Sequence, residues 1–215
     1  MRDALLLYAV TDRAWLSFAP PESSTLERQV EEAILGGATI VQVREKALGR
    51  DEFAELTRGV KAVAAAHGVP VVVNDDLEVA LASGADGLHV GQDDGDVAEI
   101  RSRLPAGAIL GVSVQTVDQA LAAERAGADY LGVGAVFPTG TKLDAADVPI
   151  ARLAKICRSV NIPVVAIGGI GAGNMRELAG TGIAGVAVVS ALFGKPDRTR
   201  QAAAELRALA ASIRG

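Results

Sequence analysis

The sequence predicts an α/β chain folded as a single closed (β/α)8 barrel, and three observations carry that prediction. Eight short runs of apolar, mostly β-branched residues alternate along the chain with longer amphipathic, Ala-rich stretches. Most runs are apolar throughout instead of alternating with polar residues, the pattern of parallel strands covered on both faces. A glycine-led tripeptide recurs where an amphipathic stretch gives way to a run: GAT at 37–39, GAD at 84–86 and 127–129, and the looser GIA at 182–184. Across 215 residues, eight βα units take roughly 27 residues each, compact but workable for a barrel. An open doubly wound sheet is the alternative, but no Gly-x-Gly-x-x-Gly follows the first run.

The elements follow in order. Strand 1 is expected at 5–10, and the loop after it holds Trp15, Phe18, Pro20 and Pro21, which either form a lip over a pocket or fill surface grooves. Thr25 is suited to N-cap a helix at 25–35 that stops at Gly36. Strand 2 lies at 39–43, and Asp51 is placed to cap a helix at 51–66, with His67 at its end as a partner for the helix dipole. Strand 3 at 69–73 leads to a helix at 77–83 closed by Gly84; strand 4 at 87–90 leads to one at 96–103. Strand 5 at 108–112 precedes a helix at 117–126, with Thr116 as cap and Gly127 as stop. Strand 6 at 130–133 precedes a helix at 150–159 that carries Cys157, strand 7 at 163–167 a short helix at 174–179 stopped by Gly180, and strand 8 at 185–189 the last helix at 198–213. No linker or low-complexity segment interrupts the series, so one domain is expected over 1–215.

Composition excludes several functions. Net charge is −5 with no basic block, which argues against a nucleic-acid footprint or a polybasic membrane patch. Aromatics at 3% leave little material for stacking on single strands. One cysteine rules out an intrachain disulfide and any multi-cysteine metal site. The apolar run near the N-terminus is too short for a signal sequence or a membrane span, so a cytoplasmic location is expected.

In a barrel, chemistry gathers at the C-terminal ends of the strands, and the polar residues of this chain are placed there. They include Thr11 and Asp12 after strand 1; Gln42, Arg44, Glu45 and Lys46 at strand 2; Asn74, Asp75 and Asp76 after strand 3. His89, Gln92, Asp93 and Asp94 belong to strand 4, Ser113 and Gln115 to strand 5, residues 138–142 (PTGTK) to strand 6, Gly168 and Gly169 to strand 7 and Ser190 to strand 8. The N-terminal ends supply mostly Gly, Ala and Pro, an asymmetry that marks an enzyme. Asp75 and Asp94 suit Mg²⁺, which takes one or two carboxylates and keeps waters for a phosphate to replace; each is also placed to cap a helix. Strand alternation sets Gln42, Arg44 and Lys46 on one face, with Val43 and Glu45 on the other. Two cations projecting to the barrel mouth would suit a pyrophosphate, and Arg44 could also pair with Asp75. Thr139, Gly140, Thr141 and Lys142 offer hydroxyls, backbone N–H groups and an ammonium for anionic oxygens, and the loops after strands 7 and 8 are where barrels often bind phosphate. His89 reads first as a hydrogen-bonded interior residue and second as a ligand or base. Ser113 has no histidine and aspartate partners evident in the sequence pattern, which argues against a serine hydrolase.

Taken together, residues 8–12 (YAVTD), 41–46 (VQVREK), 73–76 (VNDD), 87–94 (GLHVGQDD), 110–113 (LGVS), 129–142 (DYLGVGAVFPTGTK), 167–170 (IGGI) and 188–191 (VVSA) resemble the thiamine phosphate synthase family, in family order over nearly the whole chain. The resemblance implies a barrel transferase that joins hydroxymethylpyrimidine diphosphate to thiazole phosphate with one Mg²⁺ per subunit, releasing pyrophosphate. It assigns Gln42, Arg44, Lys46, Asn74 and Lys142 to the pyrimidine diphosphate, and Asp75 and Asp94 to the metal. Ser113 falls near the pyrimidine; Thr139 and Thr141, with backbone of Gly169, Val189 and Ser190, fall on the thiazole phosphate. Ser113, Lys142, Arg44 and Lys46 are the residues it implies in catalysis. Its partners are then small molecules, and homo-oligomerisation is left open. The stretch 143–149 departs from the family's Gly-rich, basic continuation. A related thiazole tautomerase branch relies on a histidine two residues after the equivalent serine, where this chain has Gln115. A barrel that binds a phosphorylated ligand without turnover is the remaining alternative.

Overall fold

The structure, a computed structural model, describes residues 1–21, 24–139 and 148–214. Eight parallel strands close in sequence order into one barrel: β1 (Leu7–Val10), β2 (Ile40–Val43), β3 (Val71–Asn74), β4 (Gly87–Val90), β5 (Ile109–Val114), β6 (Tyr130–Val133), β7 (Val164–Ile167) and β8 (Gly185–Val188). Helices α1 (Leu26–Gly36), α2 (Arg50–Ala65), α3 (Leu77–Ser83), α4 (Val97–Arg103), α5 (Val117–Arg125), α6 (Ile150–Ser159), α7 (Ser190–Phe193) and α8 (Thr199–Ile213) pack outside. The strands are apolar on both faces because each face has its own core. Outward residues such as Ala9, Val41, Val73, Leu88 and Val133 join the helices in one cluster, and inward residues such as Tyr8, Ile40, Val72, Tyr130 and Val165 fill the barrel.

The recurring tripeptide is one loop built four times. Gly37, Gly84, Gly127 and Gly182 all adopt positive φ, the region where a Cβ is costly. The alanines of the first three loops each donate N–H to the carbonyl five residues back, as in Ala38 to Ala33 at 2.9 Å. The third residue then reaches under the preceding strand. Leu7 N–H donates to Thr39 Oγ1 at 3.0 Å, Val71 N–H to Asp86 Oδ2 at 2.8 Å and Leu110 N–H to Asp129 Oδ2 at 2.7 Å. In the fourth loop that position is Ala184, which has no such acceptor. The repeat thus satisfies backbone donors at the N-terminal rim, leaving the opposite rim to chemistry.

Thr25 and Thr116 cap α1 and α5, the second with a full capping box through Gln119. Three expectations are corrected. Helix α2 begins at Arg50 with Gly49 as its cap, so Asp51 sits in the first turn, where its charge meets the dipole instead of an N–H. The left-handed residue after α1 is Gly37, not Gly36. Residues 174–179 form only a short 3-10 turn, Met175–Leu178, and the helix following β8 is the four-residue α7. Glycines at 171, 173, 180 and 182 leave too short a run for an α-helix there. Cys157 lies on α6 and burial pushes its thiol up to about 11, so it behaves as a small apolar residue. Among the described residues no helix is long and apolar enough to cross a membrane.

Candidate active site

The C-terminal ends of the strands enclose a cavity of about 760 Å³, within the size range of small-molecule sites. Among the described residues it is lined by Gln42, Arg44, Lys46, Asn74, Asp75, Asp94, Ser113, Thr139, Gly169, Val189 and Ser190, so the structure brings these predicted positions to one place. Thr141 and Lys142 lie outside the described residues, as do residues 143–147 of the stretch that departs from the family. The described residues of the loop after β1 are not among those lining the cavity: Trp15 packs on the outer core and Phe18 is 74% exposed.

At the β2–β4 side, local structure aims the charges. Thr11, fully buried, accepts the Arg44 N–H at 3.0 Å and donates its own N–H to the Gln42 carbonyl, fixing the exit of β2. Glu45 points away from the cavity and pairs with Arg13 at 2.7 Å, as the alternation predicts. The partner of Asp75 is Lys46, with Nζ to Oδ2 at 2.7 Å, instead of Arg44; among the described residues the Arg44 guanidinium joins no ion pair. Two more residues of chain carry the ammonium across to β3.

Capping does not account for Asp75 and Asp94. The cap of α3 is Asp76, which accepts Val79 N–H at 3.1 Å and also pairs with Arg50; the cap of α4 is Asp96, which accepts Glu99 N–H at 2.8 Å. Asp75 stands in the left-handed region at φ 65°, among the described residues the only non-glycine there, a conformation typical of strained functional positions. Asp94 folds back to accept Gly91 N–H at 2.7 Å. Burial alone would raise the Asp75 carboxyl, but hydrogen bonds from Lys46, Asp94 and Asn74 hold it below its ordinary range. Burial and the neighbouring Asp75 push Asp94 up against the pull of Gly91 N–H. Two adjacent carboxylates fit the few-carboxylate, oxygen-only demand of Mg²⁺; among the described residues no group of three or more His, Cys, Asp or Glu is placed to hold a metal.

On the far side, β7 and β8 end in glycine and serine. Gly168 and Gly169 have φ of 98° and 63°. A Cβ on Gly168 would sit 2.5 Å from Ala135 Cβ, and one on Gly169 would sit 2.4 Å from the Pro138 carbonyl oxygen. Asn174 pins the loop, accepting Gly171 N–H at 2.9 Å and donating to the Gly169 carbonyl at 2.8 Å. The floor is a buried polar chain. Ser113 Oγ lies 2.9 Å from His89 Nε2, so this serine does have a histidine beside it, contrary to expectation; the imidazole Nδ1 meets the Tyr130 phenol. Sequence reasoning missed Tyr8 and Tyr130, although β1 alternation places Tyr8 two residues before the inward Val10. The two strands that carry them are far apart in the chain, and only barrel closure joins them.

A closed parallel barrel with a cavity lined by charged and polar side chains at its C-terminal mouth and short structural loops at the other end defines the class: a (β/α)8-barrel enzyme. Residues 7–192 match the thiamine monophosphate synthase family, and the chain belongs to that family, whose activity is a transferase reaction. It is 46% identical over 191 residues to a thiamine-phosphate synthase of Clostridium tetani, covering 89% of both chains, and 48% identical over 191 residues to one of Ruminiclostridium cellulolyticum, again covering 89% of both. The thiamine phosphate pyrophosphorylase of Pyrococcus furiosus superposes with a TM-score of 0.89 at 39% identity, over 100% of this chain and 99% of that one. A 3-hexulose-6-phosphate synthase, at 17% identity and a TM-score of 0.70, shares the fold.

Proposed function

We propose that this chain condenses 4-amino-2-methyl-5-hydroxymethylpyrimidine diphosphate with 4-methyl-5-(2-phosphoethyl)thiazole, or with its carboxylated form, whose carboxyl group leaves as CO2, to thiamine phosphate and pyrophosphate. The observation that carries the reading is the layout of the cavity: cations and carboxylates after β2–β4 face the glycine and serine loops after β7 and β8 across the barrel. In a ring of eight strands β3 and β7 are opposite, so two anionic groups can bind at separate ends with their reactive atoms meeting between them.

At the first end Arg44, as a bidentate fork, and Lys46, as a point charge, receive the diphosphate, with Gln42, Asn74 and Lys142 completing the contacts. Asp75 and Asp94 would hold Mg²⁺, which when bound offsets charge on the diphosphate oxygens. At the second end Thr139 and Thr141, with backbone of Gly169, Val189 and Ser190, hold the thiazole phosphate; glycine permits close approach of the main chain. The C–O bond between the pyrimidine methylene and the diphosphate breaks, and its electron pair leaves with pyrophosphate. The amino-substituted ring stabilises the cation left behind, and the thiazole nitrogen captures it to form the C–N bond. The residues act by meeting growing negative charge and by aligning the two substrates, without a covalent enzyme nucleophile. Ser113 faces the pyrimidine. Gln115, on the cavity wall, offers an amide where the tautomerase branch needs a base.

Thiamine phosphate formed from the two substrates, followed as fluorescent thiochrome with Mg²⁺ and with chelator, tests the proposal. Metal-dependent product supports it; no product from folded protein overturns it in favour of tautomerase or binding-only activity.

A further inference from the structure

Five polar side chains meet end to end inside the barrel. Gln42 Nε2 lies 2.8 Å from Tyr8 Oη, Tyr8 Oη 2.7 Å from Tyr130 Oη, Tyr130 Oη 2.8 Å from His89 Nδ1, and His89 Nε2 2.9 Å from Ser113 Oγ. Neighbouring strands omit side chains to house them. A Cβ on Gly111 would stand 2.3 Å from Tyr130 Oη and 2.4 Å from His89 Nδ1, and one on Gly132 would stand 3.1 Å from His89 Cε1. Packing alone does not call for this, since apolar side chains fill a barrel without burying an amide, two phenols and an imidazole. The chain ends at Ser113, on the cavity wall.

Counting protons gives the chain a direction. An amide nitrogen only donates, so Tyr8 Oη accepts from Gln42 and passes its own proton to Tyr130. Tyr130 then donates to His89 Nδ1. Burial pushes both phenols well above their ordinary range, and both keep their protons. A neutral imidazole that accepts at Nδ1 carries its proton on Nε2 and gives it to Ser113 Oγ. The serine proton is then left for an acceptor in the cavity. In the opposite direction the proton of Tyr8, 1% exposed, would meet the Gln42 amide nitrogen, which cannot accept it, a cost that buried networks avoid.

We propose that His89 is a positioning residue: the Gln42–Tyr8–Tyr130 chain locks it as the Nε2–H tautomer, so that it holds Ser113 as a hydrogen-bond donor towards an acceptor atom of the bound substrate. The kinetic half rests on the proposed function; the tautomer does not.

The chain has two histidines, and His67 is exposed, so long-range ¹H–¹⁵N spectra of labelled, ligand-free protein at mildly alkaline pH resolve both rings, with His67→Gln fixing the assignment. The expected wild-type result is one His89 tautomer with the proton on Nε2. Tyr130→Phe removes the donor to Nδ1 and gives a tautomer mixture, with kcat lowered about tenfold and KM changed less than about twofold. His89→Gln, whose amide can accept from Tyr130 and donate to Ser113, recovers part of the kcat lost in His89→Leu. A wild-type proton on Nδ1 overturns the proposal, as does Tyr130→Phe with an unchanged tautomer and kcat. If Tyr130→Phe fails to accumulate, the wild-type spectrum decides alone. An Nε2 proton in a protein that makes no thiamine phosphate would overturn the proposed function and leave the locked tautomer standing.

Discussion

Replacing Asp94 with asparagine separates a metal-holding carboxylate from a structural one. Asp94 and Asp75 are neighbours, and each perturbs the other's titration. Two unit charges ~4 Å apart repel by about 1 kcal/mol in water and about 4 kcal/mol at the effective dielectric of a protein surface. Asp94 is exposed and Lys46 neutralises part of Asp75, so the lower figure applies. The amide oxygen of the substituted side chain can still accept the Gly91 N–H that Asp94 accepts. Without metal, Asp94→Asn should therefore be as stable as wild type or about 1 kcal/mol more stable, a rise of about 2–4 °C in midpoint for a chain of this size. Mg²⁺ with pyrophosphate at one hundred times its dissociation constant stabilises by about 2.7 kcal/mol, and that increment should shrink sharply in the variant. The assay is thermal unfolding in chelator and in Mg²⁺–pyrophosphate, alongside an Mg²⁺ titration of turnover. A variant destabilised in chelator, with an unchanged Mg²⁺–pyrophosphate increment, would instead make the carboxylate a loop brace with no part in holding metal.

Three further outcomes are expected. Gly111→Ala forces a Cβ to 2.1 Å from Tyr130 Cζ and should cost about 1–3 kcal/mol, read as a lowered urea midpoint. Asp76→Ala removes the α3 cap and should cost about 1 kcal/mol. Although burial works against it, the bonds from Arg50 and Val79 hold the Asp76 carboxyl below its ordinary range, so its contribution is complete above about pH 4 and is lost as pH falls through the lowered value; Asp76→Asn should keep the cap and flatten that acid slope of stability. Lys142→Ala should lower kcat by about 10²-fold with an unchanged melting midpoint, as for other groups that meet charge in the transition state; unchanged kinetics would remove the lysine from the mechanism.

The fold was legible because a barrel writes itself twice in the sequence. Strands β4 and β6 are found where the apolar runs stand, Gly87–Val90 and Tyr130–Val133, and the Gly-Ala-Thr/Asp loops announce their shared turn because only positive φ and a short acceptor perform it. Boundaries failed where backbone entropy decides: the glycines around 174–179 reduce a predicted helix to a 3-10 turn. The cavity's membership was legible because barrel closure gathers the C-terminal strand ends wherever they fall in the chain. Pairings across the barrel were not. Strand position and face can be read from alternation, but whether Arg44 or Lys46 reaches Asp75, and that His89 touches Ser113, depends on the tilt and closure of strands distant in sequence.

The proposed reaction requires two anion ends in the cavity, a diphosphate end after β2–β4 and a phosphate end after β7 and β8. A crystal structure with thiamine phosphate, Mg²⁺ and pyrophosphate tests it most directly. Pyrophosphate and metal are expected among Arg44, Lys46, Asp75 and Asp94, and the phosphate of thiamine phosphate against Gly169, Val189 and Ser190. Both anions at one end, or the metal away from the two carboxylates, would contradict it.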